Sequence, residues 1–379
     1  MHRPSSSRRN GHHVKFNTFG RTAAVTALAA LALSGCAANE DTAAGGGSSE
    51  SASELTGTLV GAGASSQQSA QEAWTTAFQT ANPDVTIEYD PAGSGAGRDT
   101  FLAGGSAFAG SDRAFKDDEI AEGDFAACAP DTGIVEIPAY ISPIAVIFNL
   151  EGIDTLNLDA ATIAGIFNGS ITTWNDEQIA SQNPDAELPD TAITPVHRQD
   201  DSGTTENFTE YLGAAAPEVW TDEADGVWPL EGGEAASQTS GMIDAVTGGE
   251  GTVGYADASR AGDLGTVSVK VGEEYVPYSA EAAAAIVDAS PMAEGRTEGD
   301  LAVEIDRTSE EAGVYPIVLV SYLIGCEEYT DPASAELVKA YFSYIVSEEG
   351  QQEAADAAGS APISSDLFDK ASAAIELIK

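Results

Sequence analysis

The spacing of apolar and polar positions changes along this chain, and the changes mark its elements. Gly57 to Gly61 reads as a strand that runs into the small-residue loop Gly-Ala-Gly-Ala-Ser-Ser, Gly61 to Ser66. Trp74, Ala77, Phe78 and Ala81 then recur at helical spacing, which predicts a helix ended by Asn82-Pro83-Asp84. Val85 to Tyr89 alternates as a second strand and again meets a Gly/Ser loop, Gly93 to Arg98. A helix is expected to begin at Asp99 to Leu102, and Ala107 to Gly110 is a short strand ahead of Ser111-Asp112. Repeated strand, Gly/Ser loop and helix predict a parallel α/β sheet whose loops gather at one edge.

Further on, Ile134 to Asn149 is the longest apolar run of β type, interrupted by Pro138 and Pro143. Ala160 to Phe167 predicts a helix. A Pro-containing loop, 184–195, leads to a strand before His197, and Glu206 to Leu212 predicts a short helix. Another helix starts in Ser240 to Val246, Thr252 to Ala256 reads as a strand, and Lys339 to Val346 and Gln351 to Ala358 as helices. A second apolar run, Val314 to Ile324, matches the first. Two such runs suit a chain that crosses from one lobe to another and returns. The expected division is 55–136 with 314–379 as one lobe and 137–313 as the other, with a hinge and a ligand cleft between them.

Composition sharpens this picture at the N-terminus. Arg3, Arg8, Arg9, Lys15 and Arg21 precede the apolar run Thr22 to Leu33, which is short for a membrane span. Leu33-Ser34-Gly35-Cys36 then has the pattern of a bacterial lipobox. Residues 1–36 are therefore expected to be a lipoprotein signal peptide with Cys36 as the acylated residue, and 37–54, rich in Ala, Gly and Ser, a flexible linker. The mature protein is expected outside the cell membrane, lipid-anchored to its outer face. Formal net charge is −45, with 16 basic against 61 acidic residues. Such a surface argues against nucleic acid as a partner. It leaves room for a small buried anion, whose pocket is governed by its own donors. In an exported protein the remaining cysteines, Cys128 and Cys326, are expected to pair as a disulfide. Past Cys36 the sole histidine is His197, so neither a His-rich metal site nor another cofactor is expected.

Candidate chemistry centres on His-Arg-Gln-Asp-Asp-Ser-Gly-Thr-Thr, His197 to Thr205. Arg198 offers five fixed donors, Ser202 and Thr204 add hydroxyls, and Gly203 permits close approach of a backbone N–H. These residues precede a helix, where unpaired N–H groups and the macrodipole favour an anion, although an ordinary N-cap has the same pattern. The two glycine loops place Ser65, Ser66 and Ser94 similarly; tight-turn geometry alone is the other reading. No Walker loop follows either. Asp112 discriminates further. It either caps the helix expected near Asp117 to Ile120, pairs with Arg113, or faces the anion. In the last case a carboxylate needs a proton between itself and the ligand, which phosphate carries near neutral pH and sulfate does not.

Taken together, Gly-Ala-Gly-Ala-Ser, Gly-Ser-Gly-Ala-Gly, Ala-Gly-Ser-Asp, the block Ile166 to Asp176, His197 to Thr209 and Gly251 to Tyr255 resemble the PstS-type phosphate-binding subunit of bacterial phosphate ABC importers. The resemblance runs over about 55–379. It implies a type II periplasmic-binding-protein fold, two α/β lobes joined by a two-strand hinge, with phosphate buried between them and a membrane permease as partner to a monomeric receptor. It further implies donors from Ser65, Ser66 and Ser94, acceptance of the phosphate proton by Asp112, and binding by Arg198, Ser202, Gly203 and Thr204, with Asp200 orienting Arg198. Two positions depart from the pattern. Gln67 follows Ser66 where an aromatic is common, and Asp201 replaces a glycine before Ser202 and must point away from the ligand or weaken it.

The competing readings are a secreted phosphatase or serine hydrolase using Ser202, and a receptor for another oxyanion such as sulfate. A hydrolase needs a base beside the serine, and the chain has neither a Gly-x-Ser-x-Gly elbow nor a second histidine past Cys36. His197 is expected to be a loop or sheet-edge residue. The tryptophans are expected to pack, and the acid-rich stretch 218–234 to be a solvated loop.

Overall fold

A computed structural model describes residues 55–379. The expected signal peptide, Cys36 and the linker 37–54 lie outside the described residues. The strands are β1 (Gly57–Gly63), β2 (Val85–Asp90), β3 (Phe108–Ser111), β4 (Ile134–Phe148), β5 (Thr155–Leu158), β6 (Thr194–Arg198), β7 (Glu234–Ala236), β8 (Thr252–Asp257), β9 (Gly265–Val271), β10 (Glu274–Val276) and β11 (Val318–Cys326). The helices are α1 (Gln68–Ala81), α2 (Ser94–Leu102), α3 (Asp117–Glu122), α4 (Ala160–Phe167), α5 (Glu177–Ala180), α6 (Gly203–Ala215), α7 (Gln238–Gly248), α8 (Ala280–Ala289), α9 (Pro332–Val346), α10 (Glu348–Ala358) and α11 (Ser365–Ile375).

Sheet pairing follows the order β2-β1-β3-β11-β4-β8-β6-β7, with β9 joined to β4 and carrying β5 and β10. β1 pairs in parallel with β2 and β3, and β6 pairs in parallel with β7 and β8. These two parallel groups are the cores of two α/β lobes. β4 serves both: residues up to Pro143 pair with β11, and those from Ile144 pair with β8. That change of partner accounts for the prolines. Pro143 stands where the ladder passes from one neighbour to the other. Pro138 faces Tyr322 at a break in register next to Ser321. Both are places where a missing N–H is least costly. Where the lobes join, the stretch leading into β11 runs beside β4, with the Ile144 N–H donating to the Ile317 carbonyl.

Some elements differ from the pattern reading. α2 starts at Ser94 rather than near Asp99. Its first turn lies against β1, where a Cβ on Gly97 would meet Gly63 Cα at 2.3 Å, so tertiary fit overrides poor helix propensity. β11 starts at Val318, after Pro316, rather than at Val314. β5, β7, β9, β10, α5, α8 and α11 were not signalled, and Glu234, expected in a solvated loop, opens β7. Trp74, Trp174 and Trp220 are fully buried, in keeping with a packing role. Cys128 and Cys326 form a disulfide with Cα atoms 5.3 Å apart, fastening the segment after α3 to the end of β11. No helix among the described residues is long and apolar enough to cross a membrane.

Candidate functional site

Parallel strands put their C-terminal ends, and hence their loops, at one edge of each lobe. The loops after β1, β2 and β3 meet the loop after β6 and the starts of α6 and α7. Close approach is built in at Gly203: a Cβ there would lie 2.7 Å from Asp112 Cβ and 2.9 Å from Ser94 Oγ. Only glycine lets the first turn of α6 touch the other lobe this way.

Asp112 is the centre of one pole. It is 3% exposed, and its carboxylate takes hydroxyl hydrogens from three separate segments. Ser66 donates to Oδ1 at 2.6 Å, Ser321 to the same oxygen at 2.7 Å, and Thr204 to Oδ2 at 2.8 Å. The Asp112 N–H donates to Ser94 Oγ at 3.1 Å, and Asn207 Nδ2 donates to the Asp112 carbonyl at 2.6 Å. Asp112 is therefore not the cap of α3. The N-cap residue there is Lys116, whose N–H donates to the Glu119 carboxylate at 2.7 Å. Nor does it pair with Arg113, which is turned to Glu119 and Glu206. Burial would raise the Glu119 carboxyl, but the Arg113 hydrogen bonds and the Lys116 N–H bring it down to about 2.

Arg198 is the centre of the other pole. It is equally buried, and its guanidinium grips Asp200 with two hydrogen bonds, Nε to Oδ1 at 2.8 Å and Nη2 to Oδ2. Burial works against the Asp200 charge, yet the Arg198 hydrogen bonds and charge, with the Gln238 N–H at 2.8 Å, hold its carboxyl below the ordinary value. Arg198 Nη2 also reaches across the lobes to Ser65 Oγ at 3.3 Å, which lies 3.0 Å from the Thr239 hydroxyl. Ser65 and Ser66, adjacent in the chain, thus face the two poles and bring them side by side.

Ser202 caps α6, its Oγ accepting from the Thr205 N–H at 3.3 Å. His197 directs Nδ1 toward the Arg198 carbonyl and stacks its ring on Trp228, with centroids 5.3 Å apart. Its recorded contacts are therefore those of a packed strand residue. Asp201, the departure from the common pattern, has a side chain 47% exposed and lies 3.6 Å from Arg98. Burial, then the charge of Arg113, pulls the Arg98 guanidinium below its ordinary value, while Asp201 opposes them. No cluster of His, Cys, Asp or Glu suited to a metal occurs among the described residues.

The structure gathers Ser65, Ser66, Ser94, Asp112, Arg198, Asp200, Gly203 and Thr204 into one contact network, with Ser202 at the end of α6 beside it. Sequence reasoning missed Ser321, Thr239 and Asn207, and named Gln67 only as a departure from the pattern beside Ser66. The one available signal was a polar residue inside the buried run Val318 to Ile324.

Residues 48–349 match the model of the PBP superfamily domain. The chain is 31% identical to the phosphate-binding protein PstS2 of Mycobacterium bovis, across 96% of this chain and 100% of that protein. It is 32% identical to the phosphate-binding protein PstS3 of the same organism, again across 96% and 100%. A solved phosphate-binding protein from Stenotrophomonas maltophilia shares the fold with a TM-score of 0.63 at 20% identity, over 84% of this chain and 94% of that one. Two α/β lobes with their loops converging on one buried polar network, together with these likenesses, place the chain in the PstS family of phosphate-binding proteins.

Proposed function

We propose that this protein binds inorganic phosphate outside the cytoplasmic membrane and delivers it to an ABC importer, performing no chemistry itself. One observation carries the reading: a buried carboxylate surrounded by hydroxyls sits beside a buried arginine whose charge is already matched. An anion there gains from many oriented donors, while the acid demands that it bring a hydrogen. Ser65, Ser66, Ser94, Arg198, Ser202, Gly203 and Thr204 supply donors in this reading, Asp112 accepts the phosphate proton, and Asp200 keeps Arg198 in plane. The bonds that now cross between lobes, Thr204 to Asp112 and Arg198 to Ser65, are made by the same groups. In the bound form these bonds are exchanged for bonds to phosphate, with the lobe 55–136 plus 314–379 and the lobe 137–313 held shut around the ligand, whereas the free protein samples an opened cleft.

The expected dissociation constant is at or below about 1 μM, roughly −8 kcal/mol. Isothermal titration with phosphate, paired with small-angle scattering to detect closure, tests this; neither heat nor compaction would sink it. Cys36 is assigned as the lipid anchor of a monomeric receptor that docks on a membrane permease. Loss of palmitate labelling in Cys36→Ala is the expected result. Ser202 as a hydrolytic nucleophile predicts turnover of p-nitrophenyl phosphate that vanishes in Ser202→Ala. A sulfate receptor predicts that sulfate displaces phosphate at comparable concentration.

A further inference from the structure

Behind Asp112 lies a chain of buried amides and hydroxyls whose direction is fixed. Gln67 Nε2 stands 3.2 Å from the Tyr322 carbonyl, which can only accept, so this end of the amide is the donor. The same Nε2 donates to Ser321 Oγ at 2.6 Å. Ser321, having received that hydrogen, turns its own toward Asp112 Oδ1 at 2.7 Å. The other end of Gln67 is the acceptor and takes a hydrogen from Gln71 Nε2 at 2.9 Å, while Gln71 Oε1 accepts from the Tyr341 hydroxyl at 2.9 Å. Rotating either amide would set donor against donor or oxygen against oxygen, at a cost that buried groups cannot recover from water. Gln67, Gln71 and Ser321 are all buried, so solvent does not blur the direction.

A carboxylate offers about four acceptor directions, two on each oxygen. Ser321 and Ser66 both hydrogen-bond to Oδ1 and engage its two directions. Thr204 donates to Oδ2. When Ser66 and Thr204 turn their single hydrogens to the ligand, Ser321 remains as the donor behind the carboxylate and the cleft-facing directions are left to accept. Asp112 is thereby fixed as an acceptor toward the cleft. We propose that Gln67, acting through Ser321, is a positioning residue that makes this site demand a proton-bearing tetrahedral oxyanion. The proposal rests on the phosphate reading of the site and adds the residues that enforce it.

The test is isothermal titration of the full-length protein with phosphate and with sulfate, at one pH, for the unaltered chain, Gln67→Met, Ser321→Ala and the double variant. Each single change should lower the phosphate-to-sulfate affinity ratio about tenfold, the worth of one net hydrogen bond. The double variant should fall no further than the lower single, because both changes cut one relay. A ratio unchanged in Ser321→Ala, whose folding is checked by its thermal midpoint, overturns the proposal, as do losses that multiply in the double variant. Should Gln67→Met fail to fold, Ser321→Ala alone decides. Absence of phosphate binding in the unaltered protein would overturn the phosphate reading as well, whereas an unchanged ratio overturns the relay alone.

Discussion

The two poles of the cleft solve opposite problems with opposite means. Arg198 is a buried cation whose counter-charge, Asp200, lies two residues along the chain and holds it with paired hydrogen bonds. Asp112 is an equally buried carboxylate that forms no ion pair among the described residues. Its side-chain hydrogen bonds come from the hydroxyls of Ser66, Thr204 and Ser321, and its neighbour Arg113 is directed to Glu119 and Glu206. The difference separates affinity from selectivity. A matched arginine adds geometry and donors without adding much net positive charge, which suits a protein carrying −45 overall. In the phosphate reading, an acid whose partners are hydroxyl donors is the group that checks the ligand for a hydrogen.

The comparison can be broken most forcefully at Arg198. Arg198→Ala removes the paired guanidinium and leaves Asp200 without its counter-charge, a change that typically costs about 3–5 kcal/mol at buried pairs. Phosphate titration should show a loss of at least about 100-fold. A loss under tenfold would mean that the arginine is not part of the ligand site. Next in size is Asp112→Asn. The amide keeps the shape but replaces one acceptor oxygen with an NH₂ donor, and hydrogen bonds to charged groups are worth about 1.5–3 kcal/mol. Phosphate affinity should fall by roughly 10- to 100-fold while sulfate affinity rises. Equal losses for both anions in competition titrations would remove Asp112 from the selectivity mechanism.

The same contrast explains what could be read from the sequence. Arg198, Asp200, Ser202, Gly203 and Thr204 fall within eight positions of one another, and the rules that join them, ion pairing and helix capping, are local. The partners of Asp112 lie 46, 92 and 209 residues away. No periodicity links Ser66, Thr204 and Ser321 to one carboxylate. Ser321 sits in a strand whose neighbours Val320 and Tyr322 mark it only as β structure. At the level of fold, the Gly/Ser loops after β1 and β2 were legible because a strand followed by small residues and an apolar helical face is a local signal. β9 was not, although Val267, Val269 and Val271 alternate, because short strands rich in polar residues gain their stability from the partner strands β4, β5 and β10.

Asp257 supplies a control for Asp112, since it too is fully buried among hydroxyls without a cation. Tyr140 donates to it at 2.9 Å and Ser259 at 2.5 Å. Burial pushes its carboxyl up from 3.8 to about 6, against the lowering effect of the Ser259, Ser142 and Tyr140 hydroxyls. A folded-state value above the unfolded one means that the protonated form stabilises the fold. That contribution is complete below 3.8 and is lost as pH rises through about 6. Asp257→Asn should therefore flatten part of the decline in unfolding free energy from urea titrations between about pH 4 and 6, by on the order of 1–2 kcal/mol, with phosphate affinity little changed. Glu136, also raised by burial and by Asp300, acts in the same direction, so the difference between variant and unaltered protein isolates Asp257. An identical pH profile in the two proteins would deny Asp257 this role.

The smallest expected effect belongs to Asp201, the extra acid beside the Arg198 pole. Its carboxylate is half-exposed and 3.6 Å from Arg98, which keeps a hydrogen bond to Ser111 at 2.8 Å in any case. With Arg98 buried but Asp201 half-exposed and 3.6 Å away, solvent screens the pair toward the about 0–1 kcal/mol of surface bridges, so Asp201→Asn should change phosphate affinity by less than about fivefold. If the acid weakened the ligand through space, the variant would bind tighter and the gain would shrink as salt is raised. If it is directed safely toward Arg98, affinity and its salt dependence should both stay close to those of the unaltered protein. A gain of tenfold or more that disappears in 0.5 M salt would place Asp201 among the groups facing the anion and redraw the balance of charge between the two poles.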